Sequence, residues 1–163
     1  VVLTTAGGLY RYRTGDRVLC QEKLNDLPVL RFVGRCGLVS DLVGEKLSDD
    51  FVTHCLDKMP GFRMLIPSVE DTPHYVLITD AATDLPENPA QAVEAALGEN
   101  PQYAYARRTG QLGPVQMLRV TDPTARYTRY RLRQGAELGD IKAPALRPET
   151  NLLAAFAVQA HTE

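Results

Sequence analysis

The chain has 163 residues, enough for one ordinary domain or a small two-part unit with a real core. Its apolar share of 44% and charged share of 23% are those of a soluble globular protein. Eighteen basic residues against 20 acidic ones give a net charge of −2, which recommends no nucleic-acid partner, and no apolar run approaches a membrane span.

The three cysteines, Cys20, Cys36 and Cys55, are odd in number and form no Cys-x-x-Cys pair. His54 beside Cys55 is the nearest thing to a ligand pair, but adjacent residues on a helix point in different directions. No metal site is therefore expected, and reduced thiols in a cytoplasmic protein are the default. The chain opens on Val1 inside a β-like run, Val1-Val2-Leu3-Thr4-Thr5, and so reads as the C-terminal fragment of a longer protein.

Residues 1–35 read as β-structure. Val1–Thr5 is apolar and β-branched, Ala6-Gly7-Gly8 turns the chain, and Leu9–Arg13 alternates with Tyr10 and Tyr12 on one face. Past Gly15-Asp16, Arg17–Glu22 continues as a strand, Asn25-Asp26-Leu27-Pro28 turns, and Val29–Val33 is the next strand. Gly34-Arg35-Cys36-Gly37 loosens the backbone and marks a boundary, giving domains 1–36 and 37–163.

Beyond it, Leu38–Val43 reads as a strand and Ser48-Asp49-Asp50 as a helix N-terminus. The helix Asp49–Met59 carries Phe51, Val52, Cys55, Leu56 and Met59 at helical spacing, a core stripe that Pro60-Gly61 ends. Phe62–Val69 and His74–Thr79 are apolar strands. Helices follow at Pro89–Leu97 and Tyr103–Arg108, then a strand at Val115–Val120. Thr124–Gln134 is a basic helix, 139–150 a Gly/Pro-punctuated loop, and Leu152–Gln159 a short helix. The pattern predicts an α+β fold: a short antiparallel β-subdomain, then a ferredoxin-like sandwich with helices on one side of its sheet.

One run carries the most chemistry. Leu9-Tyr10-Arg11-Tyr12-Arg13-Thr14-Gly15-Asp16 puts a carboxylate at a tight corner, and Phe32-Val33-Gly34-Arg35 brings a guanidinium to a later strand end. A carboxylate accepts from both ribose hydroxyls, and a guanidinium offers a planar fork of donors to oxygen. This ordered set resembles the late nucleotide-binding motifs of the adenylate-forming ligases. Within them it looks most like the Gretchen Hagen (auxin-responsive promoter) family of acyl-acid amido synthetases.

The resemblance implies an enzyme that uses ATP, with Mg2+, to turn a carboxylic acid into an acyl-adenylate and then conjugates it to an amino acid. Asp16 takes the place of the family's ribose-binding aspartate. Tyr12 precedes it among the nucleotide contacts and helps to position the turn. Arg35 is a ribose or phosphate contact, followed by Cys36-Gly37 where many superfamily members have an acidic hinge residue. Glu45-Lys46-Leu47-Ser48-Asp49 fits an acidic-Lys-x-x-acidic pattern, in which Lys46 either reaches phosphate or is a solvated lysine ahead of a helix.

Gly139-Asp140-Ile141-Lys142-Ala143-Pro144-Ala145-Leu146-Arg147 resembles the family's Gln-Tyr-Lys-x-Pro-Arg loop and makes Lys142 the catalytic candidate, a point charge for the α-phosphate. Here Ile141 stands for Tyr, and Arg147 comes two residues late. Tyr105-Ala106-Arg107-Arg108 and Leu112-Gly113-Pro114-Val115 match architecturally, with Arg107 and Arg108 expected in solvent. The Gly/Ser/Thr-rich phosphate loop of such enzymes is absent, so an upstream large domain is the implied partner and this chain alone is expected to be inert. The rival readings are a non-catalytic ferredoxin-like module that binds a small ligand or protein partner, and a hydrolase using Ser40, Asp41 and one of the three histidines.

Overall fold

The computed structural model describes residues 1–14, 16–25, 27–35 and 37–157. Gly15, Asp26, Cys36 and the part of the last expected helix beyond Ala157 lie outside the described residues. The chain divides into two compact units, Val1–Leu38 and Val39–Glu163.

The first unit is built of paired strands joined by turns. β1 (Val2–Leu3) and β2 (Tyr12–Arg13) are antiparallel, with Leu3 opposite Tyr12, and so are much shorter than the runs that predicted them. The backbone between them closes on itself, the Thr5 N–H donating to Leu9 O (2.9 Å). β3 (Asp16–Leu24) and β4 (Leu27–Arg35) form a long antiparallel ribbon that bulges between Arg17 and Val18 and between Cys20 and Glu22. Asn25 makes its turn in the left-handed conformation (φ 48°), which asparagine tolerates better than most residues.

The second unit is an α+β sandwich. β5 (Val39–Ser40) and β6 (Leu47–Ser48) pair antiparallel across the loop 41–46. Ser48 then caps α1 (Asp49–Cys55), Phe51 N–H donating to its hydroxyl oxygen (3.3 Å), with Asp49 and Asp50 in the first turn. The expected helical stripe continues as turns to Met59, and Val52, Leu56 and Met59 are buried. Gly61 follows at φ +69°, where a Cβ would meet Thr83 Oγ1 at 2.7 Å.

A three-stranded sheet organises the rest. β7 (Arg63–Ser68) pairs antiparallel with β8 (His74–Asp80), which pairs parallel with β9 (Gln116–Val120). The crossover runs through α2 (Pro89–Leu97) and α3 (Pro101–Arg108). After β9 come α4 (Pro123–Arg133), two short 3-10 turns and α5 (Leu153–Ala157). Pro89, Pro101 and Pro123 each open a helix, where the missing N–H costs nothing.

Helices cover both faces of this sheet, not one. Leu65, Tyr75 and Leu77 pack with Val52, Leu56, Val93, Leu97 and Tyr103. Their neighbours Met64, Ile66, Val76 and Ile78 pack on the other side with Tyr127, Leu152 and Phe156. Successive strand residues point to opposite faces, so strands buried on both sides must be apolar throughout.

Candidate functional site

The first group of expected site residues lies in the Val1–Leu38 unit. Asp16 opens β3 and stands directly opposite Arg35, the last residue of β4. The Asp16 N–H donates to Thr14 Oγ1 (3.1 Å), and the Val1 N–H donates to Asp16 O (2.8 Å). Asp16 is half-buried; the Arg35 side chain lies outside the described residues. Tyr12 is exposed on β2, with Leu3 across from it.

The second group lies in the Val39–Glu163 unit. Its centre is Glu45, a carboxylate with no exposed surface. One oxygen accepts the Leu42 N–H (2.8 Å) and the Tyr75 hydroxyl; the other accepts the Val43 N–H (2.8 Å). Tyr75 OH also lies 2.8 Å from Ser40 Oγ, and Asn100 Nδ2–H donates to Glu45 O (3.2 Å). Burial raises the Tyr75 phenol far above its ordinary value, and the Glu45 carboxylate adds to the rise. This network nails the loop 41–46 to β8 and to the N-terminus of α3. Ser40 is thereby a packing hydroxyl, and Asp41 accepts the Gly44 N–H (2.7 Å), which leaves the hydrolase reading without a nucleophile.

Lys46 follows immediately. It is exposed and left-handed at φ 48°, a strained conformation for a residue with a Cβ. The network below it and the buried Leu47 after it hold it there.

The loop around Lys142 is a strap along the free edge of β7. Leu65 N–H donates to Ala145 O (2.7 Å), Arg147 N–H donates to Leu65 O (3.0 Å), and Leu146 makes a parallel bridge to Leu65. Leu146 is fully buried, whereas Lys142 is exposed four residues earlier. Ala143, Pro144 and Ala145 line a cavity of about 300 Å³ together with Asp49, Thr53, Gly61, Phe62 and Arg63. Arg147 is buried, ion-paired to Glu149 (2.8 Å), and stacked 5.8 Å from the Tyr127 ring centroid. It serves the core of the unit.

Arg107 departs from the solvated position expected of it. It is half-buried, ion-paired with Glu94, and donates to Leu112 O (2.6 Å). Glu94 also accepts the Val115 N–H (2.8 Å) and the Tyr103 hydroxyl (3.0 Å), so this pair ties α2, α3 and the entry to β9 together. Arg108 stays exposed, 5.5 Å from the centroid of the Tyr105 ring. Sequence reasoning gave Glu45 only a charge in the acidic-Lys-x-x-acidic pattern and missed Tyr75 and Glu94, whose sequence signal is a hydroxyl-bearing or acidic residue inside an apolar run.

Residues 1–35 match the GH3 family central domain, and residues 52–151 match the GH3 family C-terminal domain. The chain is 30% identical over 172 residues to the probable indole-3-acetic acid-amido synthetase GH3.4 of Oryza sativa subsp. japonica, with 91% of this chain and 27% of the relative covered. It is 27% identical over 169 residues to the probable indole-3-acetic acid-amido synthetase GH3.12 of the same organism, at 88% and 27% coverage. It therefore spans about a quarter of the length of these relatives. Two solved structures share the fold: AtGH3.15 acyl acid amido synthetase in complex with 2,4-DB (TM-score 0.62, 22% identity) and GH3.15 acyl acid amido synthetase (TM-score 0.61, 22% identity). The alignments cover 95% of this chain in both cases, and 31% and 32% of those chains. Since the C-terminal model takes in more than half of the chain and the central model the strands before it, this chain belongs to the GH3 family.

Proposed function

We propose that this chain is the C-terminal part of an ATP-dependent ligase that joins a carboxylic acid to an amino acid through an acyl-adenylate. A carboxylate oxygen of the acid bonds to the α-phosphorus of ATP, and pyrophosphate leaves. The amino nitrogen of the acceptor then bonds to the acyl carbon, AMP leaves, and the nitrogen gives up its proton. The observation that carries this reading is the register of β3 against β4, which sets Asp16 opposite Arg35. The hairpin register brings the first residue of β3 and the last of β4 together, and a carboxylate and a guanidinium at one corner suit a nucleotide.

In this reading Asp16 accepts the ribose hydroxyls, with Tyr12 beside it in the motif, and Arg35 donates to ribose or phosphate. Lys46 and Lys142 supply point charges to the phosphates, Lys142 at the α-phosphate where negative charge grows. Mg2+ enters with the phosphates of ATP. The 1–36 segment is the end of the large adenylating domain and 37–163 is the lid that closes on it. An enzyme using ATP and carrying free thiols such as Cys20 and Cys55 belongs in the cytoplasm.

The test is carboxylate-dependent ATP–pyrophosphate exchange by the protein that carries this chain, over a panel of acids, with Asp16→Ala alongside. Exchange should appear with at least one acid. The mutant should lose about 2–4 kcal/mol of nucleotide binding, the worth of hydrogen bonds to a charged group. No exchange with any acid, and nucleotide binding unchanged in the mutant, would leave a non-catalytic binding module instead. The chain without its upstream domain should give no exchange at all.

A further inference from the structure

We propose that Asp49 is a positioning residue that holds the Lys142 strap in register with the Lys46 loop; this rests on the roles given above to those two lysines. Leu146 is a strap residue whose neighbours on both sides, Ala145 and Arg147, bond to Leu65 of β7. In an extended segment the N–H groups alternate in direction, so the Leu146 N–H points away from β7. Leu146 is fully buried, and an unpaired N–H there would carry a full desolvation penalty. The carboxylate of Asp49 accepts it at 2.8 Å, across 97 residues of chain.

The geometry makes Asp49 a joint. Three residues before it stands Lys46, and between them Leu47 and Ser48 are fixed in β6 against Ser40 and Val39. Four residues before its partner Leu146 stands Lys142, on a stretch stiffened by Pro144 and closed by Pro148. Leu47 and Leu146 share one core cluster, so side-chain packing and the Asp49 hydrogen bond act at the same place. The Lys46 segment, anchored from below by Glu45, and the Lys142 strap, anchored on β7, have Asp49 as their direct polar link. The cavity of about 300 Å³ beside it, walled by Asp49, Arg63 and Ala143–Ala145, lies next to the strap on which Lys142 stands. Small misplacement of a charged group costs an enzyme rate far beyond its cost in stability.

The experiment measures ATP–pyrophosphate exchange by the full-length protein carrying Asp49→Ala, Asp49→Asn, Lys142→Ala and the Asp49→Ala/Lys142→Ala double change. Thermal midpoints and hydrogen exchange of the 141–147 peptide are read alongside. Asp49→Asn keeps an acceptor oxygen and should stay within about twofold of wild type. Asp49→Ala should lower exchange about tenfold or more and speed amide exchange in the strap. The double change should be no slower than Lys142→Ala alone, because Asp49 acts through that lysine.

Two outcomes overturn the proposal while sparing the function beneath it. In one, Asp49→Ala turns over like wild type while Lys142→Ala is slow. In the other, the losses of the two single changes multiply in the double. A Lys142→Ala protein that exchanges like wild type overturns the role of that lysine, and the proposal with it. If Asp49→Ala does not fold, a slow Asp49→Asn protein with a wild-type thermal midpoint and an unaltered strap overturns it just as well.

Discussion

At the scale of single residues, Lys46 is the sharpest test of whether a side chain is kept for function. A lysine at φ 48° pays a steric cost that glycine would avoid. Lys46→Gly should therefore raise stability by about 1 kcal/mol in urea unfolding, while ATP–pyrophosphate exchange falls. Equal or lower stability with unchanged exchange would make Lys46 an ordinary loop lysine. The acidic-Lys-x-x-acidic spacing made this segment legible in the sequence, yet its two acids were legible only as charges. Glu45 turned out to be wholly buried, and Asp49 to reach a backbone N–H 97 residues away. Nothing local distinguishes such carboxylates from solvated ones, because the partners that satisfy them come from distant elements. Arg107 is the same case, read as solvated until Glu94 of α2 is seen beside it.

The helices of the second unit and the strands β7 to β9 lie within a few residues of the expected positions, because amphipathic stripes and Pro or Gly stops are local signals, whereas the expected strand Leu38–Val43 shrinks to Val39–Ser40 and its partner β6 was not foreseen. Sequence reasoning misjudged how the sheet is covered, although the signal was present. Met64-Leu65-Ile66 and Tyr75-Val76-Leu77-Ile78 do not alternate, as a strand with one wet face would. Leu77 and Ile78 are adjacent, point to opposite faces, and are both fully buried. Leu77→Ala and Ile78→Ala should each cost about 3 kcal/mol by denaturant titration. A large loss at one and a negligible loss at the other would mean that one face of the sheet is open. The short pairing of β1 with β2 was misjudged for a different reason: strand length depends on a partner strand, and the sequence of one strand does not contain its partner.

For the molecule as a whole, two features set its response to conditions. Tyr75, Tyr103 and Tyr127 are buried, and burial is the largest cause raising each phenol above its ordinary value. An unfolded tyrosine ionises near pH 10, so the folded state holds these protons longer than the unfolded one does. The stability they contribute is complete below about pH 10 and drains away as pH rises above it. Tyrosinate absorbance should show these three ionising only together with unfolding; their smooth titration with the fold intact would contradict their burial. The second feature is the contrast between the units. All the buried side chains of the two core clusters belong to the Val39–Glu163 unit. The other unit consists of two-stranded ribbons that expose Leu24 (67%), Leu27 (71%) and Leu30 (54%), and such ribbons are marginal without a further layer. In the proposed enzyme the rest of the large domain provides that layer, since the relatives are almost four times as long. Trypsin acting on this chain alone should thus cut first at exposed Arg11, Arg13 or Arg31, and a resistant fragment should begin near Val39. In the full-length protein the same bonds should be protected. Mass spectrometry of the early products decides the matter: first cuts within β7 to β9 would mean that the stability of the chain does not follow its buried core.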